Sequence, residues 1–167
     1  MEKGFIMKFE KFLKRVGSRG MLLTECLEKW ICDGNVAMIV PAGVNVAYSK
    51  ISEMPVEISE AVDNTPIPEN YGADLVQAKL KPDGKAKDIM RIYEDASGDR
   101  IAISNADWSL IESDDATAIM YDPNDNETVI GLIVYSNFGD DREVVGVIFA
   151  EGFNIYSKIR EESNNGN

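Results

Sequence analysis

Two runs near the C-terminal end, Val129–Tyr135 (VIGLIVY) and Val144–Phe149 (VVGVIF), are apolar without interruption. A strand with one wet face alternates apolar and polar residues. A run with no polar member has no face to give to water, so both stretches are expected in the middle of a sheet, covered on both sides. They extend to strands over Thr128–Tyr135 and Glu143–Ala150, flanked by strands at Ala116–Tyr121 and Asn154–Lys158. The separators are Asp122-Pro123-Asn124-Asp125-Asn126 and Asn137–Asp141, both rich in turn formers.

Upstream, Leu75–Leu80, Asp88–Tyr93 and Arg100–Ser104 read as strands joined by turns at Lys81-Pro82-Asp83-Gly84 and Ala96-Ser97-Gly98-Asp99. Asn105–Glu112 reads as one or two helical turns capped by Ser104 or Asn105, with Trp108 and Ile111 on one face. Residues 59–73 (SEAVDNTPIPENYGA) hold two prolines and little periodicity, which marks a surface loop or a boundary. At the start, Phe5, Phe9, Phe12, Leu13 and Val16 recur at three and four residues with charges between them, the pattern of an amphipathic helix over 5–16 ended by Gly17 and Gly20. Short strands follow at Met21–Thr24, Lys29–Cys32 and Val36–Val40, the last two joined by Asp33-Gly34. Val44–Tyr48 and Met54–Ile58 are further strand candidates.

The fold class is therefore α+β: an N-terminal amphipathic helix, then mostly antiparallel β meanders in one bent sheet or two small sheets. The domain expected is a single compact one over 1–160, or two lobes (1–58, helix plus meander; 74–160, strand-rich and acidic). A disordered tail over 161–167 and mobile loops at 59–73 and 122–127 are also expected.

Composition bounds the chemistry. Not one of the 167 residues is histidine, and 29 Asp and Glu face 17 Lys and Arg for a net charge of -12. Histidine-based nucleophilic catalysis is excluded within the chain, and the commonest metal ligand is missing. Cys26 and Cys32 have no further Cys or His to complete a zinc site, and Cys32 reads as a reduced core thiol. Asp122-Pro-Asn124-Asp-Asn126 begins like a calcium loop but has Glu127 at position six and Ile133 at position twelve, where Gly and a bidentate acid belong. No cofactor, no metal and no catalytic residue is expected, and the chain is read as a non-enzyme. Met1–Val16 lacks the apolar centre of a secretory signal and no run is long enough to span a membrane, so a cytoplasmic protein without membrane contact is expected.

The charge is unevenly spread. Lys3, Lys8, Lys11, Lys14, Arg15 and Arg19 outweigh Glu2 and Glu10 in the first nineteen residues, whereas residues 94–143 are densely acidic and hold only Arg100 and Arg142 as bases. Dense carboxylates can occupy a protein's nucleic-acid channel, with fast and salt-sensitive association. Asp107, Glu112, Asp114, Asp115, Asp122, Asp125 and Glu127 are expected on one acidic edge that meets a protein partner. Lys8, Lys11, Lys14 and Arg15 form the alternative, a DNA-facing basic patch, with a second positive stretch at Lys79, Lys81, Lys85, Lys87 and Arg91.

The order of FEKFLKRV (Phe9–Val16), a strand pair closed by Asp33-Gly34, and a late pair ending VVGVIFAEG (Val144–Gly152) resembles one repeat of a phage DNA sliding clamp. That resemblance implies association with duplex DNA or a polymerase, with Lys8, Lys11, Lys14 and Arg15 facing phosphates. Tyr121-Asp122, Val129–Tyr135 and Phe153–Tyr156 are also similar to a strand-rich piece of a phage portal protein. The leading expectation is a phage or mobile-element binding protein that acts as a nucleic-acid mimic or inhibitor on a nucleic-acid-handling protein. A clamp-like DNA-associating protein is the alternative and a structural phage protein the third. Direct nucleic-acid binding is opposed by the net charge, and an oligomer is compatible with the charge asymmetry.

Overall fold

The computed structural model describes residues 8–26, 28–67, 75–81, 90–95, 97–112, 115–138 and 141–165. Its elements are α1 (Phe9–Val16), β1 (Met21–Glu25), β2 (Glu28–Cys32), β3 (Val36–Ile39), β4 (Ile51–Glu53) and α2 (Val56–Asn64) in the first half. β5 (Leu75–Lys81), β6 (Met90–Asp95), β7 (Arg100–Ser104), α3 (Asn105–Trp108), β8 (Ala116–Asp122), β9 (Asp125–Phe138), β10 (Asp141–Phe149) and α4 (Ile155–Asn165) follow. The class is α+β. A seven-stranded sheet runs β4-β1-β2-β3-β10-β9-β8, and β5-β6-β7 form a three-stranded sheet. All pairings are antiparallel except β1 with β4.

The two apolar runs lie in β9 and β10, and their side chains divide between two cores, one on each face of the large sheet. Leu132, Val134, Val145 and Ile148 enter the first, with Phe9, Phe12 and Val16 of α1 and Tyr93, Ile101 and Ile103 of the small sheet. Ile130, Ile133, Tyr135, Val147 and Phe149 enter the second, with Ile58 and Ala61 of α2 and Ile155 and Ile159 of α4. Neither strand keeps a strict two-residue period. Val129 belongs with Leu132, and Val145 with Ile148, three residues apart. Irregularities in the ladder explain both: Met120 faces Gly131 while Tyr121 faces Val129, which leaves Ile130 extra, and the β10 register shifts between Val144 and Gly146. One extra residue moves every later side chain to the opposite face. An unbroken apolar run tolerates this shift, since either face is dry.

The large sheet joins both halves of the chain, because β3 pairs with β10. Residues 59–73 therefore do not separate two sheets. The loop expected there is a helix up to Asn64: Pro55 precedes α2, and Ile58 and Ala61, three apart, fill the second core. Met54–Ile58 is correspondingly no strand. Val44–Tyr48 is no strand either; Val44, Val46 and Tyr48 pack on the first core while the chain crosses to the far edge, where β4 joins β1. Asn154–Lys158, expected as a strand, begins α4. Asn154 Oδ1 accepts the Tyr156 N–H at 2.8 Å as an N-cap, and Ile155 and Ile159 share the inward face. That helix continues to Asn165, so the expected disordered tail is helical up to there. Residues 122–127 form a tight hairpin in place of a long loop, held by Asp122 Oδ1 on Asn124 N and Asp125 Oδ1 on Glu127 N. The turn Lys81–Gly84 and residues 68–73 fall largely or wholly outside the described residues.

Gly131 is fixed by close approach. A Cβ there would stand 2.9 Å from the Ile148 carbonyl oxygen and 3.1 Å from Met120 Cε. The carbonyl belongs to the paired strand and cannot retreat without breaking the ladder. Gly131→Ala is expected to destabilise the fold by about 1–3 kcal/mol, the range for overpacking a filled core, read as a lower urea midpoint.

Candidate functional site

Helix α1 buries Phe9, Phe12 and Val16, which turns Lys8, Lys11 and Arg15 along one flank. That flank meets the segment 107–112. Arg15 Nη1 lies 2.8 Å from Asp107 Oδ1, and Arg15 Nη2 lies 3.0 Å from Asp33 Oδ2 in the turn after β2. The guanidinium also sits over the Phe12 ring, 5.5 Å from its centroid. Lys11 Nζ donates to Ser109 Oγ at 2.9 Å, and Lys8 Nζ is 3.8 Å from Glu112 Oε1. The basic head and part of the acidic stretch, distant in sequence, thus neutralise one another. Of the four expected DNA-facing residues, Lys14 is exposed and makes no ion pair among the described residues.

The seven acids expected on one edge are not together. Asp107 is held by Arg15. Glu112 and Asp115 sit at the start of β8: Asp115 is buried, accepts the Ser136 hydroxyl at 2.8 Å on Oδ1 and the Glu112 N–H at 2.9 Å on Oδ2, and so ties that turn to β9. Asp122, Asp125 and Glu127 lie at the opposite end, one seven-residue strand away, roughly 23 Å at the usual rise. The expectation failed because a strand intervenes: residues 107–127 include all of β8, whose two ends cannot share an edge. Asp114 lies outside the described residues. So do Lys85 and Lys87, while Lys79 and Lys81 fall in β5. Arg91 donates from Nε to Asn105 Oδ1 at 3.0 Å and stacks 5.2 Å from the Trp108 ring.

Sequence reasoning missed two carboxylates that join the far group. The Tyr121 hydroxyl donates to Asp99 Oδ2 at 2.6 Å and lies 3.3 Å from Asp95 Oδ2, bringing the β6–β7 turn beside the β8–β9 hairpin. Burial, and then the two carboxylates, push the Tyr121 phenol up, so it stays a proton donor to them. Asp95 Oδ1 in turn accepts the N–H groups of Ser97 and Asp99 at 2.9 and 3.0 Å. Asp95, Asp99, Asp122, Asp125 and Glu127 thus share one end of the molecule, and none makes an ion pair among the described residues. The signal in the sequence was the turn spacing Asp95–Asp99, read above only as a hairpin.

Among the described residues, no group of three or more His, Cys, Asp or Glu is placed to hold a metal ion, and no helix is long and apolar enough to cross a membrane. Both cysteines are free; Cys26 is exposed and Cys32 is buried in the second core, where burial pushes its thiol up to about 11. Comparison with protein families, with curated proteins and with solved structures finds no match to this chain.

A second concentration of acid is a cost to the fold. Glu28 faces Glu25 directly across the β1–β2 hairpin. Partial burial, then the charges of Glu25 and Glu143, raise the Glu28 carboxyl above the ordinary range. A folded-state value above the unfolded one means that the ionised group opposes folding at neutral pH. The opposition fades as pH falls through the raised value. Glu28→Gln is expected to raise the melting temperature at neutral pH, with the gain shrinking as pH falls toward the ordinary glutamate value, followed by thermal denaturation across that range.

Proposed function

We propose that this chain is a non-enzymatic binding domain whose acidic end engages a nucleic-acid-handling protein, in the manner of a nucleic-acid mimic. The observation that supports it is the grouping of Asp95, Asp99, Asp122, Asp125 and Glu127 at two adjoining turns linked by the Tyr121 hydroxyl. The carboxylates of Asp95, Asp122 and Asp125 accept turn N–H groups and that of Asp99 accepts the Tyr121 hydroxyl, so these four hold fixed positions, while Asp99, Asp125 and Glu127 remain exposed. A rigid array of negative charge loses little entropy on meeting a basic channel, and its field steers the encounter. The clamp-like alternative has less support, because Lys8, Lys11 and Arg15 are engaged within the molecule.

The test is a variant with Asp99→Asn, Asp122→Asn, Asp125→Asn and Glu127→Gln, in which an amide oxygen at 122 and 125 still accepts the turn N–H groups and one at 99 the Tyr121 hydroxyl. Its stability is expected to stay within about 0.5 kcal/mol per substitution of the parent, as for ordinary surface changes. Proteins captured on the parent from a cell lysate at low salt are expected to include a nucleic-acid-binding protein that duplex DNA or RNA displaces. The variant is expected to associate with it more slowly and with a weaker dependence on ionic strength. Equal association rate and salt dependence for parent and variant would contradict the proposal.

A further inference from the structure

Beside the Arg15 cluster lies a groove of about 560 Å³, within the range of small-ligand sites of roughly 300–1,000 Å³. Its polar lining is Arg15, Arg19, Asp33, Asn35, Ser104 and Asp107; Val16, Ala106 and Tyr156 supply the apolar wall. The groups that line it divide into those already bonded and those left over. Asp33 is saturated: Oδ1 accepts the N–H groups of Asn35 and Val36, both at 3.0 Å, and Oδ2 meets Arg15. Asp107 gives Oδ1 to Arg15 and keeps Oδ2 as an open acceptor among the described residues. Ser104 Oγ accepts the Asp107 N–H at 3.2 Å, which leaves its own O–H to donate.

Arg19 is different. It follows Arg15 by four residues, is exposed, and makes no ion pair among the described residues, in a chain whose acids outnumber its bases 29 to 17. The groove thus keeps open donors in the Arg19 guanidinium, the Asn35 amide N–H groups and the Ser104 hydroxyl, beside an open acceptor in Asp107 Oδ2. A guanidinium fork matches the paired oxygens of a carboxylate or phosphate. Arg15 offsets one of the two negative charges of Asp33 and Asp107, and Arg19 brings the four charged groups of the lining to formal neutrality, so the groove itself does not repel an anion.

The apolar wall is equally fixed. The Tyr156 hydroxyl donates to the Cys32 carbonyl at 3.2 Å, and its ring lies against Gly34, where a Cβ would come within 3.1 Å of a ring carbon. Gly34 also has φ 99°, so the site is doubly closed to a side chain. With its hydroxyl tied down, the half-buried ring offers the groove a flat apolar surface whose orientation is set before any ligand arrives.

We propose that this groove binds a small organic anion, an aromatic phosphate or carboxylate, with Arg19 on the anionic group and the Tyr156 ring against the flat body. Titration calorimetry on the full chain with phenyl phosphate, benzoate and inorganic phosphate tests it, the first two arms separating phosphate from carboxylate. At least one aromatic anion is expected to bind saturably at one site, more tightly than inorganic phosphate. Arg19→Ala is expected to weaken it by roughly tenfold or more, the loss typical of a charge-assisted hydrogen-bonded pair. Ala106→Trp, which fills the groove from an exposed position, is expected to abolish binding, and Lys14→Ala to leave it unchanged. Circular dichroism confirms that each variant is folded. No saturable binding of either aromatic anion, inorganic phosphate binding as tightly as both, equal losses in Arg19→Ala and Lys14→Ala, or full binding in Ala106→Trp would each overturn the proposal.

Discussion

The pairing of β9 with β10 is the constraint on which the remaining structure depends. Both strands contain a run that is apolar on both faces, and each carries a register irregularity that swaps its faces partway along. Two surfaces must then be kept from water. The chain covers one with α1 and the small sheet and the other with α2 and α4, so that elements from every part of the sequence converge on two strands. β3 extends the sheet directly from β10, so the N-terminal meander and the C-terminal strands form one sheet.

Charge follows the same geometry. Packing α1 on the first core sets its basic flank against residues 107–112 and the turn after β2, and the shortest of the resulting ion pairs is Arg15 with Asp107 at 2.8 Å. Folding converts a linear asymmetry, basic head and acidic third quarter, into local neutrality at one place and unbalanced acid at another. The acid that remains is at the Tyr121 end, where Asp95, Asp99, Asp122 and Asp125 are hydrogen-bonded without forming ion pairs among the described residues, the nearby Arg100 pairing with Glu94. Arg15 also bears on both proposed sites: it offsets part of the carboxylate charge lining the groove, and it removes Asp107 from the acidic surface.

Much of the fold is legible in the sequence because its strands announce themselves through composition and turns. VIGLIVY and VVGVIF specify the centre of the sheet, Asp33-Gly34 the β2–β3 turn, and Ser104 the cap of α3, whose Oγ accepts the Asp107 N–H. The failures have a common cause in short windows. Asn154–Lys158 stops one residue before Ile159, the position that completes a helical face with Ile155, and 59–73 was divided from Pro55-Val56, which starts its helix. The site was less legible. Sequence proximity placed Asp107, Glu112, Asp115 and Asp122 together, although a strand carries the chain across the molecule between Asp115 and Asp122. Asp95 and Asp99 reach the same end only through Tyr121, a tertiary contact with no local signature.

The central claim, that the basic helix discharges its charge inside the molecule, rests on Arg15 and Asp107, whose side chains are 30% and 13% exposed. A double-mutant cycle with Arg15→Ala, Asp107→Asn and the pair, measured by urea denaturation at low and high salt, tests it most directly. The account expects a coupling of about 1 kcal/mol or more that largely survives added salt, because the pair is half-buried. Additive effects within roughly 0.3–0.5 kcal/mol, the behaviour of independent sites, would contradict it.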